Sequence, residues 1–385
     1  MKICYICPNY YKGEVPFYEY TQGLARLGHE VHAVVTRREG EPRFEQVNGV
    51  SVERIAPDHS SSYDGYQFSF LQFLMKSRQA IDRQNNWDVI NLRNLPGVSL
   101  LPRVYNRDQG GSWVLEIQSP PLHQGWRSTL SNYRIRFEAS AFSTTLVHAQ
   151  VVAEEIFGSG SGRFVELPIG VDFNHFRPGK NPSLRQDLGV SPDEILFIYT
   201  GAIMPIRQLD RLVLGFDQAL QTMGNLHLLL VGDGLAVPEL QELVSSLDLA
   251  SHVHFLGRIS YDDMPETMQA ADVGLGYVPM VPWYDKAPVL KTMESMASGL
   301  PTIATATEGN RAYIEDGIDG LLVDDTPEAL SQAMIKLADN NDLRLKFSRG
   351  RQAIDSFRWT RIVENILEPT YQQIVEKRQS RVLTE

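Results

Sequence analysis

Short apolar runs alternating with helix-length stretches dominate this chain, and that alternation leaves few folds open. In the first half the runs are Lys2–Cys7, Val31–Thr36, Val50–Ala56, Asp88–Arg93, Trp113–Gln118 and Thr145–Gln150. Val, Ile and Leu prevail in them with little polar alternation, the pattern of strands covered on both faces. Between them Val15–Leu27, Phe68–Arg83, Leu100–Asn106 and Arg127–Phe142 read as helices, with Gly28 stopping the first. The pattern then restarts. Ile195–Gly201, Leu226–Gly232, Val253–Gly257, Val273–Pro279, Thr302–Ala306 and Gly320–Val323 are strand-like. Leu209–Thr222, Val237–Leu247, Asp263–Ala271, Pro288–Ser298 and Asn310–Glu315 follow the first five as helices. Such alternation implies parallel sheets with right-handed crossovers. Two series predict two doubly wound α/β domains, 1–178 and 179–358, joined near the breaker-rich Phe176–Pro182. A helical tail, 359–385, follows. In such sheets ligands bind at the carboxyl ends of the strands, so function is sought in the loops there.

Composition narrows the function classes. The 385 residues are 43% hydrophobic and 22% charged, which excludes a mainly disordered chain. No apolar run reaches the roughly 20 residues that cross a bilayer. The N-terminus enters a strand-like run directly, so a signal peptide is not expected. Cys4 and Cys7 are spaced like a metal or redox pair, but they sit in an apolar strand on opposite faces with no second pair to complete a site. A reducing cytoplasm fits. The net charge of -11 argues against nucleic-acid binding. Residues 1–180 hold 19 Lys/Arg against 18 Asp/Glu, too even for a strong anionic-membrane anchor, although peripheral contact at the inner face of the membrane stays compatible.

Three loops carry candidate chemistry. After the Ile195–Gly201 strand, Arg207 stands just ahead of a helix, where a guanidinium and free backbone amides suit a phosphate; the bland alternative is an exposed loop Arg. In Pro288-Val289-Leu290-Lys291-Thr292-Met293-Glu294, Pro288 suits a first helical turn. The amides near Val289 and Leu290 suit a diphosphate, Lys291 adds a charge, and Glu294 lies one turn on, able to accept two ribose hydroxyls. An exposed Lys/Glu pair on an amphipathic helix is the competing reading. Asn9 to Val15, with Gly13 and Glu14, follows the first strand, a weak signal compatible with any tight turn.

With these segments in place, the order of motifs resembles the retaining glycosyltransferases of family 4, of the GT-B fold with two Rossmann-like domains facing across a cleft. The likeness runs through Gly23–Val31, through Leu167–Asp172 with Phe176-Arg177-Pro178, and through Val231–Gly234, Val253–Gly257 and Ala270–Val273. It ends with Glu294–Ala304 and Asp316–Val323. Members with a Pro-x-x-Lys-x-x-Glu segment are the nearest match. The resemblance implies an enzyme of the hexosyltransferase type, with a UDP- or GDP-linked sugar as donor substrate, no cofactor and no metal. It implies a carbohydrate, lipid-linked or small-molecule acceptor held by the first domain, and a last helix that returns there. Arg207 takes the place of the diphosphate-binding Lys, Glu294 that of the ribose-binding Glu, and Gly13 that of the first-loop glycine. Gly201 ends the donor strand.

The departures are specific. Ala202 stands where an Arg usually follows Gly201, and Lys286 where the first Glu of a pair is usual. Gln118 occupies the strand-end His position, with His123 nearby. Lys291 is then the cation that replaces the one missing at Ala202. The expected mechanism has Arg207, Lys291 and the helix start stabilising the departing nucleoside diphosphate, while Gln118 and His123 orient sugar or acceptor. An epimerase of the same fold and a non-catalytic binding subunit are the alternatives. Trp126, Tyr133 and Trp283 are candidate sugar-stacking rings or plain packing.

Overall fold

The computed structural model describes residues 1–11, 14–57, 63–104, 111–118, 126–161 and 164–382. The chain divides into two compact units, Met1–Ile169 with Trp359–Glu385, and Gly170–Arg358. The breaker-rich Phe176–Pro182 lies inside the second unit.

The first unit is built on eight strands: β1 (Lys2–Cys7), β2 (Glu30–Arg37), β3 (Phe44–Val47), β4 (Val50–Pro57), β5 (Val89–Arg93), β6 (Ser112–Ile117), β7 (Thr144–Val147) and β8 (Val165–Glu166). Their order is β3-β4-β2-β1-β5-β6-β7-β8, parallel throughout except for β3 against β4. Ile3 to Cys7 are wholly buried, which is why this run shows no polar alternation. Both cysteines are free, and burial pushes both thiols up, Cys7 to about 12. They are apolar packing residues, inert as ligands.

Two local readings are corrected here. The run read as a strand over Thr145–Gln150 stops at Val147, and a helix starts at Gln150 (Gln150–Phe157). The β3–β4 hairpin was not anticipated. Its signal was the dipeptide Asn48-Gly49, both at positive φ (48° and 86°), which closes a two-residue turn. The edge strand itself is too exposed and polar to show as an apolar run.

The tail groups with the first unit. Trp359–Ile362, a π-turn at Val363–Leu367 and Glu368–Val382 form its helical run. It packs against the Val15–Arg26 helix, where a Cβ on Gly23 would come within 2.7 Å of Val363 Cγ2. The Trp359 ring meets Tyr20 edge-on, with centroids 5.3 Å apart.

The second unit holds β9 (Ile195–Thr200), β10 (Leu226–Val231), β11 (Val253–Gly257), β12 (Val273–Gly276), β13 (Thr302–Thr305) and β14 (Leu321–Val323). All are parallel, in the order β11-β10-β9-β12-β13-β14. Phe197, Phe216, Leu228 and Met334 are fully buried at its centre. Two further helices, Pro327–Asp339 and Asn341–Phe347, were not read from the sequence. The first carries clear start signals: Thr326 caps the Ala329 amide and Pro327 fills the first turn.

Each sheet begins in its middle and grows outward both ways, so each has a point where chain direction reverses. In the first unit it lies between β1 and β5, in the second between β9 and β12. Loops diverge there and leave a crevice at the carboxyl ends.

Candidate active site

In the second unit the crevice is a cavity of about 350 Å³. Thr200, Gly201 and Arg207 line it from the β9 side, and Val278, Tyr284 and Pro288 to Lys291, with Glu294, from the β12 side. Six of the ten residues singled out in the sequence therefore share one cavity: Gly201, Arg207, Val289, Leu290, Lys291 and Glu294. Met264 also lines it.

Local geometry explains the convergence. The Leu290–Ala297 helix lies almost in contact with β12, because Gly274 and Gly276 carry no side chain beneath it. A Cβ on Gly276 would fall 2.3 Å from Thr292 Oγ1, and one on Gly274 2.5 Å from Ser295 Cβ. Buried Asn310 locks the helix: it donates to Gly276 O at 3.0 Å and Thr305 O at 2.9 Å and accepts from Thr292 Oγ1 at 2.7 Å. The helix begins at Leu290 with Val289 as its cap residue, and no side chain caps it. Pro288 thus precedes the cap instead of filling the first turn, since a short helix, Pro282–Asp285, ends just before it. Val289 and Leu290, at this uncapped helix start, both line the cavity.

On the β9 side a 3₁₀ turn, Pro205–Arg207, is closed by Gln208 in the left-handed region at φ 49°. Tyr277 couples the two sides. Its hydroxyl donates to Gln208 O at 2.9 Å, and its carbonyl accepts from Lys291 Nζ at 3.2 Å. Tyr277, Tyr284 and Asn310 were missed in the sequence. No spacing marks them, because they matter through contacts between distant loops.

Burial and mutual charge set the electrostatics of the cavity. Lys291 Nζ lies 3.9 Å from the Tyr199 ring centroid, and Arg207 Cζ 4.3 Å from that of Tyr284. Burial and then the Arg207 charge hold the Lys291 ammonium well below the ordinary lysine range, against the pull of Glu294. Burial raises the Glu294 carboxyl to about 7, although Lys291 works against the rise. Lys291 Nζ is 3.2 Å from where a Cβ on Gly201 would sit, so this ammonium occupies the neighbourhood of the cation absent at Ala202.

The first unit places Glu14 and Gln118 together at its own switch point. Gln118 Nε2 and Arg93 Nη1 each donate to Glu14 Oε2 at 3.2 Å, and Asn9 Nδ2 donates to Oε1 at 2.6 Å. Beneath them lies Glu116, fully buried, which the sequence reading left without a role. It accepts from His148 Nε2 at 2.8 Å, Asn91 Nδ2 at 3.3 Å and the Tyr5 hydroxyl, and Arg93 Nη2 lies 3.2 Å away. Burial opposes its ionisation, but Arg93, His148 and Tyr5 together bring it down to about 2. Burial also lowers His148, against the opposing pull of Glu116. Gly13 and His123 lie outside the described residues. Among the described residues no cluster of His, Cys, Asp and Glu has metal-site geometry, and no helix is long and apolar enough to cross a membrane.

Comparison with known proteins gives these crevices a setting. Residues 180–353 match the family described as glycosyl transferases group 1, and residues 14–163 the glycosyl transferase 4-like domain. The two matches fall in different units of the chain. The D-inositol 3-phosphate glycosyltransferases of Geodermatophilus obscurus and Nocardia farcinica are each 30% identical to it, over 220 and 223 residues. These matches take in 55% and 56% of this chain and 48% of each relative, so the chain spans about half the length of the relatives it matches. Among solved structures, sucrose-phosphate synthase of Thermosynechococcus elongatus superposes with a TM-score of 0.79 at 18% identity, covering 98% of this chain and 100% of that one. HepE of Anabaena, solved with UDP and glucose, gives 0.73 at 18% identity over 96% and 99%. WaaG, a glycosyltransferase involved in lipopolysaccharide biosynthesis, gives 0.70 at 19% over 95% and 99%. Both units have the parallel-sheet α/β fold expected from the sequence, the fold these GT-B structures share.

Proposed function

We propose that this protein transfers a sugar from a nucleotide-sugar donor to an acceptor hydroxyl, with retention of anomeric configuration and without a metal ion. The observation that carries the reading is the shared cavity of Arg207, Lys291, Glu294 and the uncapped start of the Leu290–Ala297 helix. Two cations held against aromatic rings and a carbonyl, with backbone amides beside them, suit a diphosphate. UDP is the first candidate nucleotide, since HepE was solved with it; GDP is the second. Glu294 would accept the ribose hydroxyls.

In the reaction the bond from the anomeric carbon to the diphosphate oxygen breaks through an oxocarbenium-like state. Arg207, Lys291 and the helix amides take up the charge that grows on the leaving diphosphate. The acceptor hydroxyl attacks from the face the diphosphate leaves. Its oxygen bonds to the anomeric carbon, and its proton passes to a donor phosphate oxygen, so no protein nucleophile is needed. Gln118 and His123 would orient sugar or acceptor, and the backbone at Gly13, beside Glu14, would approach the phosphate. The acceptor class is a carbohydrate, lipid-linked or small-molecule hydroxyl. The two free buried cysteines fit a reducing compartment such as the cytoplasm.

Thermal-shift screening of nucleotide-sugars identifies the donor, since a ligand bound only by the native state raises the melting temperature. With that donor, Arg207→Ala is expected to lower turnover about 10²- to 10³-fold at unchanged melting temperature. Unchanged turnover refutes the role of Arg207. Chelation of metals should leave the rate as it was. Donor incubated alone separates the epimerase, which would alter the sugar without an acceptor. A degenerate binding subunit would show no UDP or GDP binding by calorimetry.

A further inference from the structure

The helix Trp126–Ala139 is amphipathic the wrong way round for a domain that packs its apolar face inward. Its exposed side carries Trp126 (72% exposed), Leu130 (61%), Tyr133 (70%) and Phe137 (56%). Spacings of four, three and four place them in one stripe. The inward side is held largely by polar contacts. Asn132 Nδ2 donates to Glu155 O at 3.3 Å, and the Glu138 carboxylate accepts the amides of Gly97 at 2.9 Å and Ser99 at 2.8 Å. The helix is therefore fixed in place while four large apolar side chains stay outside.

The adjoining short helix Leu100–Val104 extends the patch with Leu100 (52% exposed) and Val104 (57%). Contiguous exposed apolar surface of this kind marks an interaction site. The surrounding charge says which kind. Arg127 and Arg136 flank the stripe on opposite sides, Arg136 also donating its Nε to Ile156 O, and Arg103, whose Nη2 donates to Phe137 O at 3.3 Å, has its Cζ 4.3 Å from the Phe137 ring. The single acid of the helix, Glu138, is buried on the inward face. The near-neutral total of the first 180 residues thus conceals a local face that is apolar and basic with no exposed carboxylate on the helix.

We infer that this face docks on an anionic lipid bilayer, with the helix lying in the headgroup layer. Trp and Tyr suit that layer because each has an apolar body and a polar tip. Arginines at the edge of the stripe keep their stems on the apolar surface while their guanidinium groups meet lipid phosphates. The inference stands apart from the donor chemistry and goes beyond the transfer reaction, because it rests only on the surface of the first unit.

Flotation of the full chain with vesicles tests it, using equal parts phosphatidylglycerol and phosphatidylcholine, and phosphatidylcholine alone as the second arm. The wild type is expected to float with the anionic vesicles and far less with the neutral ones. Trp126→Ser with Tyr133→Ser should weaken partitioning by about tenfold or more at unchanged melting temperature, since both side chains are exposed. Arg127→Glu should weaken it about fivefold on anionic vesicles only. A wild type that stays in solution with both vesicles, or variants that float equally well, overturns the inference. So does a lipid-free dimer in sedimentation velocity that the Ser variant dissociates, because the face would then belong to a second copy of the chain.

Discussion

The two units place charged groups at the same topological point and treat them in opposite ways. At the switch point of the first sheet, Arg93, Glu116, His148 and Glu14 pair with one another, although Arg93 Nε and Nη2 make no hydrogen bond. At that of the second, Lys291 is bonded to a carbonyl and a ring, Arg207 stacks on Tyr284, and burial moves Lys291 and Glu294 toward their neutral forms. A network of mutually paired buried charges contributes rigidity. A buried ammonium lowered by desolvation, as at Lys291, gains from any added negative charge. The Pro288–Glu294 segment and the Glu116 network are thus read as binding site and scaffold, although both consist of Lys, Arg, Glu and aromatic side chains.

Substitution separates the two roles. Removing Glu116 strands Arg93 in the interior, so Glu116→Ala should cost about 3–5 kcal/mol of stability in denaturant unfolding. UDP affinity at the second unit should be unaffected; a loss under about 1 kcal/mol would mean that the network is not the scaffold. Lys291→Met should leave stability nearly unchanged and remove a proton-linked part of UDP binding. Bound diphosphate restores the ammonium whose pKa is lowered in the free protein, so the wild type should take up protons on binding, and its affinity should weaken as pH rises above that lowered value. Calorimetry in two buffers of different ionisation enthalpy reads the uptake, and wild-type binding without proton exchange would count against a depressed Lys291. Tyr277→Phe deletes the hydroxyl that holds Gln208 O, with an expected cost of about 1 kcal/mol, or roughly fivefold in UDP affinity.

The smallest effect belongs to a corner of the second unit remote from the cavity-lining residues. His227 Nδ1 lies 3.1 Å from His254 Nε2, and burial lowers the pKa of both. The folded state keeps them neutral while the unfolded chain takes up protons below the ordinary 6.5. Stability should therefore fall as pH drops through that value and level off below the folded pKa. A melting temperature that is flat across this window in wild type, or equally steep in His254→Asn, would contradict the assignment.

Much of the fold was legible because strands buried on both faces have to be continuous apolar runs. β1, β9 and β10 could be read almost to the residue for that reason. The β3–β4 hairpin escaped because an exposed edge strand need not be apolar, and Pro327–Asp339 escaped although Thr326-Pro327 announced its start. The donor-side residues were legible where backbone geometry sets the chemistry: a strand end at Gly201, and a helix start ahead of Lys291 and Glu294. Tyr277, Asn310 and Glu116 were not, because their importance lies in partners dozens of residues away.

The sequence by itself determined the two parallel-sheet domains and the loops that carry Arg207 and Lys291, since periodicity and helix-start chemistry are local. Only the tertiary structure decided which charges meet a partner and which are left facing an open cavity. That outcome depends on strand order and on the close approach of a helix to Gly274 and Gly276, neither of which is written in any one segment.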